Sequence, residues 1–194
     1  MTTTGELWLV RHGDTEWTVT GQHTSRTEVH LTDGGRAAAS ALAPHLAAHR
    51  FALVLTSPRE RARETAALAG FPDAEIDPNL SEWDYGELEG QTTHSIRARG
   101  ADWADWTIWT GPVPGGETLA QVAARAAAIV ARAAGVDGDT ICFAHGHYLR
   151  VLTAVALSSA PELGAHLALD PAAVNVIGNE YETRVLRAAN AFTL

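Results

Sequence analysis

A short apolar run that ends in an arginine and a histidine places the strongest constraint on the fold of this chain. Residues 7–10 are Leu-Trp-Leu-Val, which predicts a short buried strand, and Arg11, His12 and Gly13 follow directly. Such groups are costly to bury at a strand end unless an anion compensates them. Open α/β sheets bind ligands beyond the carboxyl ends of their strands. We therefore predict an anion site here, where Gly13 turns backbone N–H groups toward the anion and a neutral His12 can attack phosphorus.

Two more apolar runs lead into basic or ionisable residues. Residues 140–144 precede His145, and residues 51–55 precede an arginine-rich helix start that contains Arg61. If the sheet is parallel, the three strand ends lie along one edge and their side chains converge. This convergence favours one ligand site over three unrelated features.

Size and charge limit the organisation and the partners of the protein. With 194 residues the chain can bury a sizeable core, and we expect one domain over residues 1–194, with an irregular, helical cap-like insertion at about 73–116. The net charge of −9 argues against non-specific binding to nucleic acid or to an anionic membrane. An anion site would then be a local positive pocket on an acidic surface.

The single cysteine and the first residues indicate the compartment. Cys142 excludes an internal disulfide, and its place in an apolar run predicts a small buried residue. Residues 1–5 lack a charged and apolar leader, and no apolar run is long enough to span a membrane. We therefore expect a cytoplasmic protein.

The remaining pattern predicts helices and a late pair of strands. Thr32 suits the N-cap of a helix over about 33–49, and a second helix follows Pro58 and ends near Gly70. Apolar residues recur with a 3.6-residue period over about 117–134. The further predictions are a helix at about 147–158 and two strands, at 174–178 and 183–187, that could pair antiparallel.

Five segments in order along the chain carry a family resemblance. They are Leu-Val-Arg-His-Gly-Asp-Thr-Glu-Trp at 9–17, Leu-Thr-Asp-Gly-Gly at 31–35, Thr-Ser-Pro-Arg-Glu-Arg-Ala at 56–62, Leu-Ser-Glu-Trp-Asp-Tyr-Gly at 80–86 and Phe-Ala-His-Gly-His at 143–147. Together they resemble the phosphoglycerate-mutase-like branch of the histidine phosphatase superfamily, and most of all its acid phosphatase and sedoheptulose-bisphosphatase-like members. The resemblance implies a three-layer α/β/α sandwich with a mostly parallel central sheet.

The resemblance also assigns catalytic and phosphate-binding residues. It implies that His12 is the nucleophile, that Glu82 donates a proton, and that Arg11, Arg61 and His145 bind the phosphoryl group. From the residues alone, Glu82 lies among aromatic residues and suits either a general acid or a capping or salt-bridged glutamate. The resemblance favours the catalytic role.

No metal ion and no cofactor are predicted. The sequence has no cluster of carboxylates or cysteines that suggests a metal site. Arginines and histidines would supply the positive field that a metal ion supplies elsewhere. The expected partner is a small phosphomonoester.

The resemblance implies that a loop over residues 14–30 lines the substrate pocket. Thr18 stands where the family usually has asparagine, and its hydroxyl can still donate to a phosphate oxygen. We expect His23 and Ser25 to be solvated loop residues. The candidates for substrate contact in this loop are Gln22, His23, Thr24, Ser25 and Arg26.

Other polar and aromatic residues are expected to have structural roles. Arg59 and Arg63 are expected on a solvated helix face, and His147 is expected near the surface at a helix start. Three tryptophans at a three-residue spacing predict a helical face that packs into the core, with one ring able to wall the pocket. They are Trp103, Trp106 and Trp109.

Three functions are compatible with these residues. The favoured one is a metal-independent phosphomonoester hydrolase that acts through a phosphohistidine on small phosphorylated metabolites, with sugar phosphates weakly indicated. The alternatives are a cofactor-dependent phosphoglycerate mutase and a non-catalytic module that binds a phospho-ligand. About two dozen residues separate Gly90 from Gly116, whereas similar mutases have a longer insertion in this segment. Those mutases also carry an arginine at the position of Trp83. A binding module would usually have lost His12 or Glu82.

Overall fold

The computed structural model describes residues 5–191, and their regular elements alternate between strands and helices. The strands are β1 (Leu7–Arg11), β2 (Phe51–Thr56), β3 (Glu75–Ile76), β4 (Asp139–Ala144), β5 (Val174–Glu180) and β6 (Thr183–Ala191). The helices are α1 (Glu16–Thr20), α2 (Asp33–Ala41), α3 (Ala43–Leu46), α4 (Glu60–Leu68), α5 (Thr93–Arg97), α6 (Leu119–Ala134) and α7 (Gly146–Ala156). Short 3₁₀ helices lie at Pro78–Leu80, Gly86–Leu88, Ala101–Trp103 and Pro161–His166.

The six strands form one sheet in the order β3-β2-β4-β1-β5-β6. Strands β1 to β4 run parallel, whereas β5 and β6 pair antiparallel, β5 with β1 and β6 with β5. The late antiparallel pair is therefore confirmed, and both of its strands are longer than the pattern predicted. In the centre of the sheet, Arg11 of β1 lies opposite Ala144 of β4, and Thr56 of β2 lies opposite Phe143. These registers bring the three strand ends to one level at one edge.

Helices cover both faces of the sheet, because successive strand side chains point to opposite faces. Leu7 and Leu9 belong to an apolar cluster with residues of α6 and α7. Trp8 and Val10 belong to a second cluster, with residues from the α2–α3 region and from α4. This arrangement confirms the predicted three-layer α/β/α sandwich with a mostly parallel sheet.

The helix predicted over 33–49 is interrupted. The side chain of Thr32 caps α2 by accepting a hydrogen bond from the backbone N–H of Gly35 at 3.0 Å, as predicted. However, α2 ends at Ala41, and Pro44 lies at the start of the separate short helix α3. A proline has no backbone N–H and its ring clashes with the preceding turn, so one continuous helix is not available here.

The helical face predicted for the three tryptophans is wrong. Only Trp103 lies in a helix, the 3₁₀ turn at Ala101–Trp103, and the chain then continues through turns. The packing prediction is confirmed, because Trp106 is buried in the cluster beneath α6 and α7, where its indole N–H donates to the carbonyl of Pro112 at 2.9 Å. Trp106 therefore packs into the core from a turn and not from a helical face.

The irregular segment 73–116 packs into the same apolar cluster as the sheet. Its buried side chains include those of Leu80, Tyr85, Leu88 and Ile96. The extent of the domain over residues 1–194 stays a prediction, and residues 1–4, on which the expectation of a missing leader rests, lie outside the described part of the chain. Within residues 5–191, none of the helices combines the length and apolarity needed to cross a membrane.

Candidate active site

The carboxyl ends of β1, β4 and β2 bring three polar side chains together. His12 follows β1, His145 follows β4 and Ser57 follows β2. The backbone N–H of His12 still donates to the carbonyl of Ala144 at 3.0 Å, so the ladder continues one residue beyond β1. The imidazole rings of His12 and His145 lie with their centroids 5.2 Å apart.

His12 is held in one tautomer by its neighbour. Its Nδ1 lies 2.8 Å from the carbonyl oxygen of Gly13. Because a carbonyl only accepts hydrogen bonds, the ring proton belongs on Nδ1, which leaves Nε2 with a lone pair. Burial lowers the pKa of His12 well below its ordinary value, and the positive charges of Arg61 and Arg11 lower it further. The ring is therefore neutral and nucleophilic at Nε2.

Two arginine side chains with unsatisfied donors lie beside this histidine. Nη1 of Arg11 donates to the carbonyl of Leu169 at 2.6 Å, and the terminal nitrogens of Arg61 donate to carbonyls of the loop at 24–27. The Nε atoms of Arg11 and Arg61 are both buried and lack a hydrogen-bond partner. Buried donors without partners are rare in folded proteins, and here they mark a place where an oxyanion would be bound.

His145 is a third buried side chain with an unpartnered nitrogen. It is fully buried, and its Nε2 lies 2.7 Å from the hydroxyl of Ser57. Its Nδ1 is buried and has no partner. Burial lowers the pKa of His145 well below its ordinary value, with a further lowering by Arg61 and His12, so this ring is also neutral.

Glu82 both caps a helix and lines the cavity. Its carboxylate accepts hydrogen bonds from the backbone N–H groups of Trp83 at 2.8 Å, Tyr148 at 2.7 Å and His147 at 3.1 Å. The last two belong to the first turn of α7, whose N-cap residue, His145, makes no capping bond itself. Burial raises the pKa of Glu82 above its ordinary value, outweighing these hydrogen bonds, which favour the charged form. The capping and catalytic interpretations of this residue are therefore compatible.

These side chains border a cavity of about 210 Å³. Of the five residues assigned by resemblance, Arg11, His12 and Glu82 line it, whereas Arg61 and His145 are fully buried behind it. The cavity is otherwise lined by Trp17, Thr18, Gly21, Gln22, His23, Thr24, Tyr85, Gly146, His147, Arg150 and Leu169. Gly146 keeps this space open, because a Cβ there would lie 3.2 Å from the guanidinium carbon of Arg11.

The role predicted for Gly13 is wrong in its details. The N–H of Gly13 donates to the hydroxyl of Thr65 at 3.1 Å, and that of His12 is used in the sheet, so neither turns toward an anion. Glycine is needed at position 13 for another reason. A Cβ there would lie 2.4 Å from the carbonyl oxygen of Gly35, because the chain and the start of α2 approach each other closely.

Three residues that were expected at the surface are buried or line the cavity. His23 and Ser25 are buried, and the partly buried His147 lines the cavity. Nδ1 of His147 lies 2.7 Å from the hydroxyl of Tyr85, and the ring of His23 lies tilted against both, with centroid distances of 4.8 Å to Tyr85 and 5.8 Å to His147. No sequence signal marked this aromatic wall, because it is assembled from three separate segments.

Arg63 is exposed, as predicted, and Arg59 is partly exposed and pairs with Glu28.

The candidates for substrate contact in the loop divide into two groups. Thr18, Gln22 and Thr24 line the cavity, whereas the exposed Arg26 pairs with Asp84. The hydroxyl of Thr18 is already bonded to Asp14 and to the first turn of α1. The amide of Gln22 donates to the carbonyl of Gly90 at 2.9 Å. The side chains of Thr18 and Gln22 therefore shape the pocket with their polar ends already partnered.

The described residues hold no group of three or more histidine, cysteine, aspartate or glutamate side chains placed to bind a metal ion. The side chains of ionisable type that line the cavity, apart from Tyr85, are those of Arg11, Arg150, His12, His23, His147 and Glu82.

Comparison with known proteins places this site in a family. The family model of the histidine phosphatase superfamily, branch 1, matches residues 7–191. The chain belongs to the histidine phosphatase superfamily. The acid phosphatase of Mycobacterium tuberculosis is 38% identical over 184 residues, which cover 93% of this chain and 89% of that protein. The sedoheptulose 1,7-bisphosphatase of Saccharomyces cerevisiae is 34% identical, and the match covers 76% of this chain and 65% of that protein.

A solved structure agrees with this assignment. The structure of an open reading frame from Mycobacterium tuberculosis matches with a TM-score of 0.90 at 37% identity, covering 96% of this chain and 97% of that one. Mutases match as well. The 2,3-bisphosphoglycerate-dependent phosphoglycerate mutase of a Methylobacterium species is 37% identical, and the match covers 77% of this chain and 79% of that protein. The predicted superfamily and fold are confirmed, and so is the prediction that the chain is a phosphatase.

The structure shows where the side chain lies that occupies the position of the mutases' arginine. Trp83 is 1% exposed and its indole N–H donates to the carbonyl of Glu117 at 2.8 Å, so its ring faces the core and not the pocket. The cation at the far side of the cavity is Arg150, which stacks over Trp109 with 4.8 Å between the guanidinium carbon and the ring centroid. Trp83 therefore offers nothing to a substrate carboxylate, as expected, and Arg150 of α7 is a separate positive charge at the cavity.

Proposed function

We propose that this protein hydrolyses small phosphomonoesters through a phosphohistidine formed on Nε2 of His12, without a metal ion. The observation that carries the proposal is the single available lone pair of His12, set beside buried and unpartnered donors on Arg11, Arg61 and His145. A nucleophile and an oxyanion site in such proximity suit phosphoryl transfer, in which positioning and electrostatic stabilisation dominate.

Binding of the phosphoryl group uses the three donors. A phosphomonoester carries close to two negative charges, and charge-assisted hydrogen bonds from guanidinium groups are among the strongest available. Nε of Arg11 and of Arg61 would each donate to a phosphoryl oxygen, and His145 would donate from Nδ1. Because all three groups are buried, their interactions with the phosphoryl group are weakly screened.

The phosphoryl group is then transferred in two steps, first to His12 and then to water. In the first, the Nε2 lone pair of His12 forms a bond to phosphorus while the ester P–O bond breaks, and the protonated carboxyl of Glu82 gives its proton to the leaving oxygen. In the second, a water molecule attacks the phosphohistidine, Glu82 takes one proton of that water, and the P–N bond breaks with return of the electron pair to Nε2. Inorganic phosphate, the alcohol and the original enzyme result.

The leaving group would lie against the aromatic wall of the cavity. Tyr85, His23 and His147 offer ring faces and polar edges, which suit a small hydroxylated carbon skeleton better than a long apolar chain. Small phosphorylated metabolites, sugar phosphates among them, are therefore the proposed substrates. A cytoplasmic location stays a prediction.

Mutase activity is the second candidate, and Arg150 is the observation that favours it. Its guanidinium lines the cavity and would fit a carboxylate or a second phosphate on the substrate. A mutase returns the phosphoryl group of His12 to a hydroxyl of the bound ligand, whereas a hydrolase gives it to water. The comparison of both products in one assay separates the two.

The deciding experiment traps the phosphoryl group. Enzyme quenched in base during turnover of a ³²P-labelled sugar phosphate should carry phosphate that is stable in alkali and labile in acid, located on His12 by peptide mapping. His12→Ala should abolish labelling and turnover, whereas the exposed His166→Ala should keep both. Full turnover in His12→Ala would reject the mechanism. Isomerisation of phosphoglycerate, dependent on a bisphosphoglycerate primer and faster than release of inorganic phosphate, would favour the mutase.

The same preparation tests the absence of a metal requirement. Activity should be unchanged after dialysis against EDTA. Loss of activity in EDTA, followed by its return with one metal ion, would show that the arginines and histidines do not suffice and that the enzyme needs a metal ion.

A further inference from the structure

The fully buried guanidinium of Arg61 is held by backbone carbonyl groups and not by a carboxylate. None of the ion pairs among the described residues includes its guanidinium. Nη1 instead donates to the carbonyl of Thr27 at 3.0 Å, and Nη2 donates to the carbonyls of Thr24 and Ser25, both at 3.2 Å. The orientation of Arg61, and with it the direction of its free Nε, therefore depends on the loop at 24–27.

This loop has no regular secondary structure to hold its backbone in place. The amide groups of the same residues whose carbonyls bind Arg61 are satisfied by one side chain. Glu89 accepts the N–H of Ser25 at 2.9 and 3.0 Å with its two carboxylate oxygens, and the N–H of Thr27 at 3.0 Å. The hydroxyl of Ser25 donates to Glu89 as well, at 2.5 Å.

The loop thus lies between an anion and a cation that do not touch each other. The carbonyl groups at 24, 25 and 27 face Arg61, and the N–H groups at 25 and 27 face Glu89. Charge-assisted hydrogen bonds of this kind are roughly twice as strong as neutral ones. The half-buried carboxylate of Glu89 is kept ionised: burial alone would raise its pKa, but the hydrogen bonds from Ser25 and Thr27 lower it overall.

We propose that Glu89 is a positioning residue for phosphoryl transfer, which acts on Arg61 through the backbone of Ser25–Thr27. The inference rests on the proposed function, because it assumes that Arg61 binds the phosphoryl group. Glu89 itself does not line the cavity and does not touch the substrate. Its loss lets the loop carbonyls shift, so that Nε of Arg61 no longer points at the phosphoryl oxygens, and displacements of about 1 Å at such a group can reduce rates by roughly 100-fold.

The test is a double-mutant cycle with Glu89→Gln and Arg61→Ala. Glutamine keeps the size of the side chain but replaces one acceptor by an NH₂ donor, which would face the N–H groups of the loop. With Arg61 present, Glu89→Gln should lower kcat/KM at least about 10-fold and weaken binding of inorganic phosphate, followed by the fluorescence of Trp17. In the Arg61→Ala background, the same change should alter phosphate binding less than about 2-fold.

A matched substitution controls for the charge change. Glu87 is exposed and lies two residues away on the same turn, so Glu87→Gln should leave kcat/KM and phosphate binding within about 2-fold of the parent protein. The melting temperatures of all variants are measured in parallel, so that loss of fold is recognised. Ser25→Ala removes the hydroxyl bond and keeps the backbone bonds, and it should give a smaller loss than Glu89→Gln.

The outcomes separate the inference from the proposed function. If Arg61→Ala measurably weakens phosphate binding and lowers activity while Glu89→Gln changes neither, or if Glu89→Gln weakens phosphate binding by the same factor in both backgrounds, Glu89 does not act through Arg61 and the inference fails alone. If Arg61→Ala keeps both properties, the proposed role of Arg61 fails and the inference fails with it. A loss with Glu89→Gln that disappears in the Arg61→Ala background supports the inference.

Discussion

The hydroxyl of Ser57 and Nε2 of His145 lie 2.7 Å apart, so a buried hydrogen bond joins the ends of β2 and β4. Ser57 also accepts a hydrogen bond from the backbone N–H of Arg59 at 3.3 Å, and its own proton can be donated to Nε2. The ring proton of His145 is then carried by Nδ1, the nitrogen without a partner. In the proposed mechanism, a serine at the end of β2 thereby orients the histidine at the end of β4 as a donor to the phosphoryl group.

Loss of the Ser57 hydroxyl should therefore weaken catalysis without removing any group that touches the substrate. We expect Ser57→Ala to lower kcat/KM about 5-fold, because one buried hydrogen bond that fixes the donor is worth about 1 kcal/mol. Steady-state kinetics on a sugar phosphate measure the effect, with the exposed Ser40→Ala as the control. Unchanged kinetics in Ser57→Ala would show that His145 finds the productive tautomer without the hydroxyl.

The effect of replacing Glu82 should depend on the leaving group. An alkyl phosphate releases a strongly basic alkoxide that needs a proton in the transition state, whereas nitrophenyl phosphate releases a much weaker base. General acids contribute about 100-fold or more, so we expect Glu82→Gln to reduce kcat/KM for a sugar phosphate by at least that factor. The reduction for nitrophenyl phosphate should be less than about 10-fold. The parameter kcat/KM is used because it reports the steps up to formation of the phosphohistidine.

Asp84 is the control for this comparison. Its carboxylate accepts the N–H of Gly86 at 3.0 Å and pairs with Arg26, so it does not line the cavity, and Asp84→Asn should affect both substrates equally and mildly. Equal losses for the two substrates in Glu82→Gln would remove Glu82 from the role of leaving-group acid.

The pH dependence should follow from two opposite shifts. Glu82 must be protonated to act as an acid, and because burial raises its pKa, kcat/KM should start to fall only above the ordinary carboxyl range. His12 must be neutral, and because burial and two arginines lower its pKa, activity should persist well below the ordinary histidine pKa. The profile of kcat/KM against pH should therefore be broad on the acidic side of neutrality.

The Glu82→Gln variant identifies the group behind the alkaline limb. A glutamine does not titrate, so the fall of kcat/KM at high pH should disappear in this variant while the acidic limb stays. An acidic limb centred near the ordinary histidine pKa, about 6.5, would contradict the neutral ring assigned to His12.

Two adjacent glycines at the start of α2 should respond differently to alanine. A Cβ on Gly35 would lie 2.2 Å from the carbonyl oxygen of Asp14, whereas the nearest atom to a Cβ on Gly34 is the hydroxyl oxygen of Thr32, at 3.8 Å. Overpacking costs about 1–3 kcal/mol, so Gly35→Ala should lower the free energy of unfolding by about that amount. Gly34→Ala should leave it unchanged or raise it by about 0.5 kcal/mol, because alanine favours the helix. Urea unfolding of both variants measures the difference, and equal values would contradict it.

Much of the fold could be predicted because the relevant signals are local. The apolar run before Arg11, the cap at Thr32 and the periodic stripe of α6 each lie within a few residues, and each is where the sequence places it. The interruption at Pro44 and the turns that carry Trp106 were missed, since helical periodicity was extended across residues that a helix does not tolerate.

By itself, the sequence determined the superfamily, the strand ends and the chemical types of the groups that meet there: His12 after one apolar run, His145 after another and Glu82 among aromatic residues. The tertiary structure alone decided how these groups are held. Strand register aligns His12 with His145, α7 supplies the N–H groups that bind Glu82, and a loop distant in sequence joins Glu89 to Arg61. The physical reason is that a residue's type fixes which protons it can give or take, whereas tautomer, pKa and direction depend on burial and on partners brought together only by folding.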